Sequence, residues 1–320
     1  MTDLQRAADD IVALIRKFDK NQPRDPHSGQ WIGDPVAAVK KLFGDPATHT
    51  PGRPMTDVEF NARVERVAEV MKGAFTTHGS DVLYSDGNGV WDPERDAIHR
   101  EIAADMYAQA SHVPRDGRAV MSGGLGGAGK TSVLREHAGI DPGQYFTINP
   151  DDVKEEMARR GLVPEVPGHP DLSPMERAAL VHAESRRIAE LMADMAYRDR
   201  RNVIWDITMG SPEEISTRVN AMRANGYRDI SGVFVDIPVE VSVERALGRY
   251  RQGADELRAG SGLGGRFVPP DVIRSYLTPH GTTMNKDAFL GMRSMFDDWS
   301  MFDNSVWGRA PRLVDKGVGR

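Results

Sequence analysis

The sequence predicts an α/β fold over residues 116–320, a mostly parallel sheet flanked by helices, preceded by a helical N-terminal extension over residues 1–115. Three observations predict it. From about residue 118 short apolar runs alternate with helical patterns, which is the sequence pattern of βαβ units in a parallel sheet. A glycine-rich stretch, GGLGGAGKTS at 123–132, stands between the first such run and the first such helix. Before residue 118 helical spacing dominates, broken by two segments rich in Pro, Gly and Asp, 19–36 and 44–54, that read as loops or a linker.

The extension carries its own signals. Leu4, Ala8, Ile11, Ile15 and Phe18 have amphipathic helical spacing. Thr56 with Glu59 forms a capping-box pattern, and Asp92 precedes Pro93 at a first-turn position, so two further helices start there. Phe60, Val64, Val67, Met71 and Phe75 make an apolar stripe suited to packing on the main domain. Within that domain the expected strands are 119–122, 145–148, 203–207 and 230–237, and the expected helices lie near 130–138, 152–160, 175–198, 213–225 and 239–249. Ligands of such sheets bind at the carboxyl ends of the strands.

Composition bounds the function classes. With 320 residues, 39% hydrophobic and 28% charged, the chain has the makings of a globular protein with a sizeable core. It contains no cysteine, which excludes disulfides, thiolate zinc sites and cysteine nucleophiles and fits a cytoplasmic location. A net charge of -6 argues against a generic binder of nucleic acid or anionic membrane. No stretch approaches the roughly 18 apolar residues of a membrane span. The first residues lack a basic segment followed by an apolar one, so no export signal is expected.

Gly124, four intervening residues, Gly129, Lys130 and Thr131 satisfy G-x-x-x-x-G-K-[ST]. An accidental glycine turn would not need an apolar strand before it and a helix after it, so the stretch is read as a phosphate cradle of the P-loop NTPase type. Gly124, Gly126, Gly127, Ala128, Gly129, Lys130, Thr131 and Ser132 are the expected nucleotide contacts. Their backbone N–H groups surround phosphate oxygens, Lys130 places a cation near the β- and γ-phosphates, and Thr131 ligates Mg²⁺. ATP and Mg²⁺ are therefore the expected cofactors. The motif alone does not separate a kinase from an ATPase or a switch.

Strand-end acids narrow that choice. FTINPDDVKEEM at 146–157 brings Asp151 and Asp152 to the start of a helix, where one carboxylate can take the proton of an acceptor hydroxyl and the other can cap the helix. Asp151 is assigned as the base and Asp152 as the cap, with the reverse assignment open. NVIWDITMGSP at 202–212 puts Asp206 and Thr208 at another strand end, where Asp206 can hold Mg²⁺ or the acceptor and Thr208 can contact the acceptor. Glu184 falls on the apolar stripe of Val181, Ile188, Leu191 and Met195, which calls either for a substrate pocket or for pairing with Arg187. Arg245, Arg249, Arg251, Arg258, Arg266 and Arg274 face three acids over 245–274, a local charge of +3 around a glycine-rich loop. Arg249 and Arg266 are expected to clamp polyphosphate, against the alternative of a solvated basic surface. The nine histidines show no H-E-x-x-H or comparable metal spacing.

The order of these features, a P-loop, a strand-end acid, a helix with an embedded acid, a strand-end acid with Thr, then RY and a later Arg before a helix, resembles the zeta-toxin family of P-loop kinases over most of 118–315. The resemblance implies ATP-dependent phosphorylation of UDP-N-acetylglucosamine on an amino-sugar hydroxyl and allows an antitoxin protein as partner. Carried onto this chain, it implies GAGKTS as the phosphate loop and Asp151 in INPDD as the catalytic base. It likewise implies Asp206 and Thr208 in WDIT as the substrate-side strand end, with Arg249 in RY and Arg266 in GGRFVP as the phosphate-clamping arginines. Other hydroxyl acceptors, such as a nucleotide cofactor, an antibiotic or a polynucleotide end, are the enzymatic alternatives, and a nucleotide-dependent binding switch is the non-enzymatic one.

Overall fold

The computed structural model describes residues 52–319. The helix expected at 4–18 and the loops at 19–36 and 44–51 lie outside them. Pro54–Leu257 and Ser261–Arg320 form one compact unit; the other, Met1–Arg53 with Arg258–Gly260, falls almost wholly outside the described residues.

The extension contributes α1 (Asp57–His78), α2 (Ser80–Tyr84) and α3 (Pro93–Ala108). The capping box of α1 is present, with the Glu59 N–H donating to Thr56 Oγ1 at 3.3 Å and the Thr56 N–H donating to Glu59 Oε2 at 2.8 Å. Phe60, Val67 and Met71 of the expected stripe are buried, but Phe75 is exposed and Ala74 takes its place. Asp92 precedes Pro93 as expected, yet its side chain makes no capping bond. Ile102 and Ala103 of α3 are fully buried in the same apolar cluster as the sheet, so this helix is an integral part of the domain's core.

The sheet has six strands in the order β2-β3-β1-β4-β5-β6, where β1 is Arg118–Gly123, β2 Phe146–Ile148, β3 Val203–Asp206, β4 Asp229–Asp236, β5 Asp298–Asp303 and β6 Arg312–Val318. All pairings are parallel except β5 with β6. Parallel central strands are covered on both faces and therefore apolar throughout. In β1, β3 and β4 alternate residues supply two cores. Val120, Ile204, Val233 and Val235 pack toward Val133 and Leu134 of α4 (Lys130–Glu136) and Val243 and Ala246 of α8 (Val239–Arg258). Met121, Trp205 and Phe234 face α5 (Pro150–Arg159), α6 (His182–Arg198), α7 (Pro212–Ala224) and α10 (Met284–Met292).

All four expected strands are found within a residue or so of their predicted limits. The helix expected at 175–198 is divided: a 3₁₀ turn at Ala178–Val181 precedes α6. α8 runs on to Arg258 instead of ending near 249. α9 (Pro270–Arg274) is a single short turn after the glycine-rich loop. Because β1 lies between β3 and β4, the carboxyl ends of β1, β2 and β3 converge, and the functional residues gather there.

Candidate active site

Gly124, one residue beyond β1, has φ 136°, and a Cβ there would collide with the Val235 carbonyl oxygen, so the loop can lie against β4 only as glycine. The loop is held from behind. The carbonyls of Gly126, Gly127 and Ala128 accept from Ser242 Oγ at 2.6 Å, Arg245 Nη1 at 3.0 Å and Asn304 Nδ2 at 2.8 Å. Three successive carbonyls are thereby committed to one side of the loop, while Gly126, Gly127 and Lys130 line a cleft of about 880 Å³. A backbone fixed in this way presents a set of N–H groups to an anion without reorganising.

Lys130 Nζ sits 3.3 Å from the Gly124 carbonyl and 3.3 Å from Asp206 Oδ1. Asp206 ends β3 and is in register with Ser122 of β1. Its Oδ2 accepts from Asn149 Nδ2 at 3.2 Å, whereas Oδ1 is buried with the Lys130 ion pair but no hydrogen bond, and the Ser122 hydroxyl is buried without a partner. Under-satisfied buried oxygens beside a phosphate cradle are a donor set that fits Mg²⁺, a hard cation that takes one or two carboxylates and completes its shell with water and phosphate. Thr131 and Ser132 are exposed and, with Gly124, Ala128 and Gly129, are not among the residues that line the cleft; Asp206 is the expected metal ligand that lines it.

The opposite wall is the start of α5. Asn149, and not Asp152, is its N-cap: Asn149 Oδ1 accepts from the Asp151 N–H at 2.9 Å while its amide holds Asp206. Asp151 is paired with Arg266 and, at 3.1 Å, with Lys154 one helical turn on. Asp152 is exposed at the cleft, where it is partly surrounded by the lining residues. That enclosure, followed by the Glu155 and Asp206 carboxylates, pushes its carboxyl up to about 6. Burial takes the Lys154 ammonium down to about 8, and burial with Lys154 and Arg186 nearby takes His182 down to about 4, so His182 is neutral at pH 7.

Thr208 lines the cleft, with its hydroxyl 3.5 Å from Tyr276 Oη and its carbonyl accepting from Asn285 Nδ2 at 3.2 Å. The next residue, Met209, is fully buried at φ 57°, a conformation bulky side chains adopt only when their surroundings impose it.

Glu184 is not in the cleft. Fully buried, it accepts from Arg95 Nε at 2.5 Å, Arg95 Nη2 at 3.0 Å and His99 Nε2 at 2.7 Å, tying α6 to α3. The pairing with Arg187 is absent too, since Arg187 reaches Asp96 instead. A carboxylate on an apolar stripe needed a partner, and two residues of the extension supply it.

The arginine cluster separates by partner. Arg245 braces the P-loop, Arg251 bonds Asp57 and the Met55 carbonyl, and Arg274 pairs with Glu240. Arg249 lines the cleft with no ion-pair or hydrogen-bond partner among the described residues, and Arg266 lines it on Asp151. Tyr250, beside Arg249, links the two. Its hydroxyl donates to the buried Glu176 at 2.6 Å, its ring meets Phe267 at 5.1 Å, and its backbone leaves no room for a Cβ on Gly265. Glu176 is in turn held bidentately by Arg63 of α1, at 2.8 and 2.6 Å.

Several lining residues escaped the sequence reading: Asn149, Lys154, Arg186 and Tyr276. The Asn-Pro start of α5 is a cap signal that was available. Arg186 carries no pattern of its own and reaches the cleft only through the docking of α6.

The family described as Zeta toxin matches residues 105–286. The chain belongs to the zeta toxin family. The fold is shared with the structure titled AvrRxo1-ORF1:AvrRxo1-ORF2 with sulphate ions, at 19% identity over 75% of this chain and 77% of that one, TM-score 0.50. The structure of the same pair with ATP gives the same figures. A structure from the PezAT chromosomal toxin-antitoxin system of Streptococcus pneumoniae matches at 14% identity over 69% and 80%, TM-score 0.46. No curated protein gives a significant sequence match. No helix of the described residues is long and apolar enough to cross a membrane.

Proposed function

We propose that this zeta toxin family chain is an ATP- and Mg²⁺-dependent kinase that transfers the γ-phosphoryl group to a hydroxyl of a nucleotide sugar, UDP-N-acetylglucosamine. One observation carries the kinase reading. The cleft that holds Lys130 and Asp206 on one wall holds Asp151, bonded to Arg266, on another, so a carboxylate able to accept a hydroxyl proton shares the cavity with the phosphate cradle. ATP bound to the AvrRxo1 neighbour is consistent with that cradle's ligand.

In this reading the P-loop amides and Lys130 bind the β- and γ-phosphates and Asp206 holds Mg²⁺, which offsets phosphate charge when bound. The acceptor oxygen forms a bond to the γ-phosphorus as the bond from that phosphorus to the β–γ bridging oxygen breaks. ADP leaves, and the acceptor's proton passes to Asp151. Arg266 swings from carboxylate to phosphate as charge develops, joined by the uncommitted Arg249, while Thr208 contacts the acceptor. An antitoxin protein is the proposed partner. The nucleotide sugar follows from the family resemblance. Incubation with ATP, Mg²⁺ and UDP-N-acetylglucosamine should yield a monophosphorylated product by mass spectrometry. No turnover of it alongside turnover of another metabolite would keep the kinase and reject this acceptor.

A further inference from the structure

The cleft accounts for phosphates and an acceptor hydroxyl but offers little to a nucleotide's base. Its walls carry mainly Lys, Arg, Asp and Glu with a few aliphatic side chains and His182, Phe and Trp are absent from its described lining, and Tyr276 has its hydroxyl beside Thr208. A flat heteroaromatic base gains most from an exposed aromatic face. Trp307 is 79% exposed, far more than a large apolar ring needs to be without a ligand, and stands in the loop between β5 and β6.

This loop is joined to the P-loop by a rigid bridge. Asn304, three residues before Trp307, donates its side-chain amide to the Ala128 carbonyl at 2.8 Å and its backbone N–H to the Asp236 carbonyl at 3.0 Å. Arg245 donates to the Gly127 carbonyl and to the Asn304 carbonyl, both at 3.0 Å, and lays its guanidinium 5.2 Å from the centre of the Trp307 ring. The remaining donor, Arg245 Nε, is buried without a hydrogen-bond partner. One arginine thus touches the back of the phosphate cradle and one face of the exposed tryptophan, which places that ring within a nucleotide's length of the cradle.

We infer that the outer face of Trp307 stacks the base of the bound nucleotide, with Arg245 as the coupling between this platform and the P-loop. The inference rests on the P-loop binding ATP, and it adds a binding residue that lies outside the matched span of 105–286. Base stacking is tolerant of base identity, so the platform supplies affinity and sets the nucleotide's direction rather than selecting one base.

The test compares ATP with inorganic tripolyphosphate, which has the phosphates and no base, by isothermal titration in Mg²⁺ buffer. Wild type should bind ATP more tightly than tripolyphosphate. Trp307→Ala should weaken ATP by about 10-fold, the scale of a lost base–aromatic stack, and leave tripolyphosphate unchanged, while Trp307→Phe keeps most of the ATP affinity. Undiminished ATP binding in Trp307→Ala would overturn the inference. So would an equal loss for both probes, because Trp307 would then only support the loop. A wild type that binds ATP and tripolyphosphate equally would exclude any base platform, and one that binds neither would remove the proposed function itself.

Discussion

Glu184→Gln separates a structural carboxylate from a substrate ligand, because the two roles predict opposite results. The substitution keeps the shape of the side chain and removes a charge that is fully buried between Arg95 and His99. Arg95, itself only about one-tenth exposed, then keeps the Leu162 carbonyl at 2.8 Å and the Tyr84 ring at 4.3 Å but loses its counter-charge. Removing one member of a buried pair costs about 3–5 kcal/mol, and these surviving contacts place the loss near the lower end, about 3 kcal/mol. At roughly 2–4 °C per kcal/mol for a domain of this size class, the melting temperature should fall by about 6–12 °C. Thermal denaturation by circular dichroism reads the stability, and ATP titration at 20 °C below the new midpoint should return the wild-type affinity. An unchanged melting temperature with a raised KM for the acceptor would place Glu184 in the substrate site and refute the reasoning.

Two further outcomes follow from the cleft. Lys130→Ala should abolish phosphoryl transfer and weaken ATP binding while leaving the fold intact, since the ammonium faces phosphate and Asp206 instead of the core; unaltered transfer would remove the cradle from the account. Asp152 has its carboxyl raised to about 6 in the folded protein from 3.8, so the native state holds a proton that the unfolded chain releases and stability declines as pH rises from about 4 to 6. Asp152→Asn should therefore raise the melting temperature at pH 7.5 and barely alter it at pH 4; equal shifts at both values would show that the carboxyl is not so enclosed.

Most of the fold was legible because its signals are local. Buried parallel strands such as AVMS and VIWD read as apolar runs, and the glycine motif between a strand and a helix fixes both neighbours. The missed strands lack that signal. β5, DWSMFD, is bounded by acids that serve its ends, and β6, RLVDKGV, is a mostly exposed edge whose pairing with β5 is visible only in three dimensions. At the site, Lys130, Asp151, Asp206, Thr208, Arg249 and Arg266 converge on one cleft, all but Arg249, which lies within α8, marked by a strand end or a loop. Glu184 was misplaced because a carboxylate on an apolar stripe shows that a partner exists but not who it is. Arg95 and His99 lie over 80 residues away in sequence, in a segment read as peripheral. Asp152 was given the cap because Asp is a favoured capping residue, yet Asn149 before Pro150 reaches the same backbone donors first.

The central claim is that one cleft carries phosphoryl from ATP to a hydroxyl with Asp151 as the proton acceptor. The most direct measurement is mass spectrometry of a cell metabolite extract incubated with ATP and either wild type or Asp151→Asn. Wild type should generate one new metabolite a phosphoryl group heavier than its precursor. Asp151→Asn should bind ATP normally yet form that product about 10²–10⁴-fold more slowly, the usual span for loss of a general base. Product formed at the wild-type rate by Asp151→Asn would contradict the assignment of the base, and ATP binding by wild type with no phosphorylated product from any extract would contradict the kinase.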